Sequence, residues 1–106
     1  MENLDMENII FGIINHGGNA KGLAYEALQA AEKGDFEESD KLLKESGKEL
    51  TEAHHIQTKL IQEEAGGKKN EVTILLVHAQ DHLMTAMEAK SLIEYMIRLY
   101  KKISEK

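Results

Sequence analysis

The chain has 106 residues, 42% of them apolar and 30% charged, with no Pro, Cys or Trp and only two Phe and three Tyr. That length supports one domain spanning residues 1–106, whose core removes about 65% of the unfolded surface, and it leaves no room for a second. Without Cys, disulfides, zinc–thiolate sites and thiol nucleophiles are excluded, and a formal charge of −6 makes nucleic acid a poor partner.

The first predicted helix covers residues 5–33. Its stripe Met6, Ile10, Ile13, Gly17, Ala20, Ala24, Ala27 and Ala31 repeats at spacings of three and four and becomes small toward its C-terminal half. Small residues admit a close neighbour. Gly12, Gly17, Gly18 and Gly22 each cost about 1 kcal/mol relative to Ala in a helix, so a packing notch or a bend is expected near Gly17-Gly18. An anion site on this glycine-rich backbone is the lesser alternative, because mid-helix N–H groups are not free.

With Pro absent, Gly must supply the breaks. In Lys33-Gly34-Asp35-Phe36-Glu37-Glu38, Gly34 suits the left-handed position after a helix end, and Asp35 with Glu38 resembles a capping box. The second helix follows over residues 36–65, and Gly66-Gly67 ends it. Asn70 is expected to cap a third helix over residues 71–102. Three helices of about 40–48 Å joined by short connections make an all-α, antiparallel up-down-up bundle.

The apolar run at residues 72–77 falls far short of the ~20 residues that span a bilayer, and the start Met1-Glu2-Asn3-Leu4-Asp5 is acidic where a signal peptide is basic. A cytoplasmic protein with no direct membrane insertion is expected.

At ~100° per residue, Ile74, His78, Asp81, His82, Thr85, Ala89, Leu92, Met96, Leu99 and Ile103 fall in one stripe of the third helix. A second apolar sector holds Val72, Leu75, Leu76, Ala79, Leu83, Ala86, Ile93 and Ile97. A three-helix bundle covers one such sector more readily than both. Self-association with this helix near a symmetry axis is therefore expected.

Two His and an Asp interrupt the first stripe at its ionisable middle, and burying them costs several kcal/mol unless they are paired or ligated. A polar network is the structural alternative to a functional site. His78 and His82, at i and i+4 with Asp81 between, have the order of the inverted zinc-protease pattern His-x-x-Glu-His, but no third ligand is evident. A nucleophilic Ser in a sharp turn is also missing. Phosphoryl transfer through an imidazole nitrogen is the third chemistry open to this cluster.

The run Leu75-Leu76-Val77-His78-Ala79-Gln80-Asp81-His82-Leu83-Met84-Thr85 resembles the signature of the enzyme IIA subunits of the lactose/cellobiose (chitobiose) branch of the bacterial sugar phosphotransferase system. The resemblance extends through Ile13-Ile14, Gly18-Asn19-Ala20-Lys21, Glu26-Ala27-Leu28 and Gly34-Asp35-Phe36 to Glu52-Ala53-His54 and Gln57-Thr58-Lys59-Leu60-Ile61. Ala79 and the Gln57 segment look closer to the chitobiose/cellobiose members than to the lactose members. The sugar itself is not legible, because a IIA subunit does not touch it.

The resemblance implies a homotrimer of three-helix protomers and a phosphocarrier function coupled to a IIC permease. His78 would accept a phosphoryl group from phospho-HPr, on Nε2 with the other nitrogen hydrogen-bonded, and pass it to a Cys of the IIB subunit. Asp81 would meet its symmetry mates on the threefold axis, where magnesium or another divalent cation neutralises the carboxylates. Many members carry Ala-Arg-Ser where this chain has Ala20-Lys21-Gly22, and Lys cannot copy a bidentate guanidinium.

Gln80 lies about 200° from His78 on the wheel, so it is expected to support the His of a neighbouring protomer. His82 is expected to pack or hydrogen-bond beside His78, with direct support of catalysis as the alternative. An inward His54 bonded to Thr or Gln is expected; His16 has no evident partner. Lys101-Lys102 suit a helix C-terminus. Val77, Met84 and Tyr95 are candidates for docking HPr and IIB. Two other classes remain open from the residues: a helical metal-dependent hydrolase on His78 and His82, and a noncatalytic trimeric adaptor.

Overall fold

The computed structural model describes residues 2–105 and contains α1 (Glu2–Glu32), α2 (Phe36–Ala65) and α3 (Ile74–Ser104), with no strand among the described residues. The expected up-down-up bundle is the architecture observed. α1 lies along both partners, while α2 and α3 meet far less.

Both connections use the same device. Gly34 has φ +84°, and the amides of Gly34 and Asp35 donate back to the carbonyls of Ala31 and Ala30, the Schellman pattern that satisfies the last carbonyls of a helix. Asp35 then caps α2, its Oδ1 accepting from the Glu38 amide at 3.2 Å. Gly67, at φ +104°, repeats the pattern, and the Lys68 amide donates to the Glu63 carbonyl.

The third helix starts later than the sequence suggests. Thr73, not Asn70, is the cap: its backbone is extended at φ −108°, ψ 164°, and its Oγ1 accepts from the Leu76 amide at 3.1 Å. Residues 71–73 are therefore outside the helix, and Val72, assigned to the buried sector, is exposed. β-Branched Val72 and Thr73 favour extended backbone, and the hydroxyl offers the first turn a better-placed acceptor.

The stripe of α1 is buried as its spacing predicts, from Ile10 and Ile13 through Gly17 and Ala20 to Ala24, Ala27 and Ala31. Two apolar clusters fill the rod, with the small side chains of α1 meeting larger ones of α3 in the second. Ile10, Ile13, Ala53, Leu60, Ala79 and Leu83 form one core, and Ala24, Ala27, Ala31, Ile93 and Ile97 form the other. Between them, buried Ser46 donates its hydroxyl to the Ala20 carbonyl at 2.7 Å, tying α2 to α1 where both faces are small. Lys101, in the last turn of α3, pairs with Asp40 of α2 at 3.1 Å.

The rod measures 57 × 22 × 20 Å, so each helix has an outer side. On α3 the second sector, from Leu75 to Ile97, faces the bundle. The first stripe is bare: Ile74 is 90% exposed, Leu92 58%, Leu99 60% and Ile103 67%. No helix among the described residues is long and apolar enough to cross a membrane, so this apolar face is not part of a spanning segment.

Candidate functional site

His78 stands just over one turn into α3, exposed at one edge of the bare stripe. One turn further on, half-buried His82 occupies the seam between the stripe and the sector facing α1. The two rings stack with centroids 5.8 Å apart and planes 23° from parallel. Neither ring hydrogen-bonds any group among the described residues, so the chain holds the exposed His78 ring by stacking alone.

The seam exists because α1 has no side chains there. A Cβ on Gly17 would stand 3.5 Å from His82 Cδ2 and 3.6 Å from the Leu83 Cα, and one on Gly18 would stand 3.2 Å from His82 Nε2. The expected notch is thus a packing notch, and its occupant is the second histidine. A Cβ on Gly12 would stand 3.5 Å from Ile56 Cδ1, while one on Gly22 would meet nothing within 4 Å among the described residues.

Asp81 is exposed on the bare stripe and forms no ion pair or hydrogen bond among the described residues. No three His, Cys, Asp or Glu residues cluster in metal-binding geometry there. A protomer thus supplies one free carboxylate at this point, and the hydrolase reading gains no third ligand.

Gln80 turns away from His78 toward α2. Its Oε1 accepts from Nε2 of Gln57, a buried residue in the core stripe of α2. The sequence gives Gln57 a helical spacing shared with Ala53 and Leu60, a signal for burial, but nothing in it announces this partner.

Two other histidines differ from expectation. His54 is exposed rather than inward; with His55, Leu50, Thr51, Thr58 and Met87 it lines an open depression, because the buried positions of that turn go to Ala53 and Gln57. His16 does have a partner: its Nδ1 lies 2.5 Å from Oε2 of Glu49 across the α1–α2 contact. Val77, Met84 and Tyr95 are exposed as expected, and the Arg98 guanidinium lies 4.9 Å from the centre of the Tyr95 ring.

The fold and the paired rings define a three-helix bundle that presents an accessible imidazole at one edge of an uncovered apolar helix face. The chain belongs to the family described as PTS system, lactose/cellobiose-specific IIA subunit, whose profile matches residues 8–101. It is accordingly a phosphotransfer protein of sugar transport, of the cellobiose/chitobiose/lactose type.

Its relatives include the lichenan-specific phosphotransferase enzyme IIA component of Bacillus subtilis, 56% identical over 97% of this chain and 94% of that protein. Another is the N,N'-diacetylchitobiose-specific EIIA component of Escherichia coli, 46% identical over 93% of this chain and 85% of that protein. Among solved structures, the cellobiose-specific enzyme IIA of Bacillus anthracis superposes with a TM-score of 0.92 at 48% identity, covering 94% of this chain and 92% of that one. The IIA(chitobiose) chain of an E. coli complex with HPr gives 0.81 at 45% identity, covering 92% and 95%.

Proposed function

We propose that His78 is the phosphoryl acceptor and donor of this IIA subunit, charged by phospho-HPr and discharged to a Cys of a sugar-specific IIB partner during uptake of a cellobiose- or chitobiose-type sugar. The observation that carries this reading is the accessibility of the His78 ring beside His82, in a family of phosphotransfer proteins. That a related IIA chain is known in complex with HPr supports the choice of donor.

The Nε2 lone pair of neutral His78 attacks phosphorus as the P–N bond to the HPr histidine breaks, and the departing ring keeps the bonding pair. A thiolate of IIB then attacks the phosphoryl group on His78; a P–S bond forms and the P–N bond to His78 breaks. Such exchanges need in-line positioning and charge stabilisation more than acid–base chemistry. His82 acts by stacking on His78 and limiting its tilt. Exposed Val77, Met84 and Tyr95, on the flank of the same helix, provide an apolar surface for transient docking of both partners.

The active form is a homotrimer built on the bare stripe of α3. Contacts around a threefold axis are heterologous, so one flank of the stripe meets the opposite flank of the next copy. His78 occupies one flank, and Gln80, about 200° away, lies beyond the other. This arrangement supports Gln80 acting on the phosphoryl group of a neighbouring protomer.

Asp81 lies within the stripe, and its free carboxylate suits an oxygen-seeking cation shared among three copies better than a site within one chain. A magnesium or other divalent ion held by the three Asp81 side chains would neutralise their mutual repulsion.

Incubation with phosphoenolpyruvate, enzyme I and HPr tests the reading. Acid-labile, alkali-stable phosphate on the chain, lost in His78→Ala, is expected. Uptake that persists in His78→Ala overturns it, and no uptake at all favours the adaptor.

A further inference from the structure

Gln57 is 7% exposed, on the same face of α2 as Ala53 and Leu60, which belong to the core with Ile10, Ile13, Ala79 and Leu83. An apolar side chain of similar length would fill that position without the desolvation of an amide. What the glutamine adds is a donor: its Nε2 hydrogen-bonds Oε1 of half-buried Gln80. An amide has one acceptor end and one end with two N–H donors. With its oxygen engaged by Gln57, Gln80 keeps both N–H bonds for the outside.

We infer that Gln57 is a positioning residue for phosphoryl transfer: from α2 it sets the polarity of the Gln80 amide, so that Gln80 presents N–H donors to the anionic oxygens of a phosphoryl group. This rests on the reading of Gln80 given above and adds the residue that orients it. An untethered amide rotates and offers its oxygen as readily, which repels a phosphoryl group; a fixed donor stabilises developing charge with no reorganisation. Gln57 is 7% exposed, so packing on α2 restricts the rotamers of its amide and with them the group it offers Gln80.

The test is a double-mutant cycle on full-length protein, with phospho-HPr as donor and the lifetime of isolated phosphohistidine as a second readout. Gln57→Met keeps the volume and removes the donor. Gln57→Glu keeps the shape but only accepts, so it turns Gln80 around. Gln80→Ala is expected to slow saturated transfer by roughly tenfold, Gln57→Met by roughly threefold and Gln57→Glu by at least as much as Gln57→Met, each with the half-saturating HPr concentration unchanged. In the Gln80→Ala background, Gln57→Met is expected to add nothing.

Full rates in Gln80→Ala would defeat the underlying reading of Gln80. Slow Gln80→Ala with unaffected Gln57→Met and Gln57→Glu would leave that reading standing and defeat the role of Gln57. An effect of Gln57→Met that persists in the Gln80→Ala background would show that it acts through packing, and would also overturn the inference.

Discussion

Gly18 on α1 and His82 on α3 fit one another: the glycine leaves the space in which the imidazole lies, and a methyl group there would stand 3.2 Å from Nε2. That distance is tight enough for the ring to shift by a few tenths of an ångström, and His82 is the ring on which His78 stacks. The notch is therefore linked through the His82 ring to His78, the proposed phosphoryl acceptor.

Gly18→Ala separates helix propensity from site geometry. Ala is favoured over Gly in a helix by about 1 kcal/mol, and the contact with His82 opposes that gain, so unfolding free energy is expected to change by less than about 1 kcal/mol. Phosphotransfer is expected to fall several-fold. Gly22→Ala, with nothing within 4 Å of the new Cβ, should gain about 1 kcal/mol and leave transfer unchanged. Urea unfolding and transfer rates on both variants check the contrast; equal behaviour of the two would refute it.

The start of α3 gives a second test. Removing a side-chain cap costs roughly 1 kcal/mol, so Thr73→Ala should lower stability by about that amount, through loss of the Oγ1 contact with the Leu76 amide. Asn70→Ala should change it by no more than a few tenths of a kcal/mol. The opposite order in denaturant midpoints would restore Asn70 as the cap.

The sequence made the local features legible: the small stripe of α1 and the two sectors of α3 follow from spacing, and the Gly34-Asp35 break from turn and capping chemistry. It did not show which acceptor would win at the start of α3, because Asn70 and Thr73 are both good caps and the choice depends on the path of the connecting chain. The His16–Glu49 contact joins residues 33 apart, and Gln57–Gln80 joins residues 23 apart. Such pairs depend on the relative rotation of two helices. The His54 expectation failed for the same reason: one step around α2 separates it from buried Ala53.

Two buried serines on α2 should behave differently. Ser39 Oγ is buried without a hydrogen-bond partner among the described residues, so Ser39→Ala removes a desolvated hydroxyl and is expected to raise stability by about 1 kcal/mol. Ser46 Oγ donates to the Ala20 carbonyl, and Ser46→Ala loses that bond, offsetting the better helix propensity of Ala. Denaturation at equal protomer concentration should place Ser39→Ala above Ser46→Ala by about 1 kcal/mol. A hydroxyl with a hidden partner would reverse that ranking.

The bare stripe makes the sharpest claim about assembly. Leu92 and Leu99 project from it at 58% and 60% exposure, and covering what remains of each is worth about 1–2 kcal/mol per copy. Leu92→Glu places a carboxylate where three copies would converge, and sedimentation should show a monomer that keeps the helical content of the native chain. Asp81→Leu is the converse change. It removes the repelling charges and adds apolar surface, so the trimer should persist, or tighten, without any divalent ion. A trimeric Leu92→Glu would move the interface off this face of α3, and a monomeric Asp81→Leu would show that the carboxylates, not the apolar residues around them, hold the copies together.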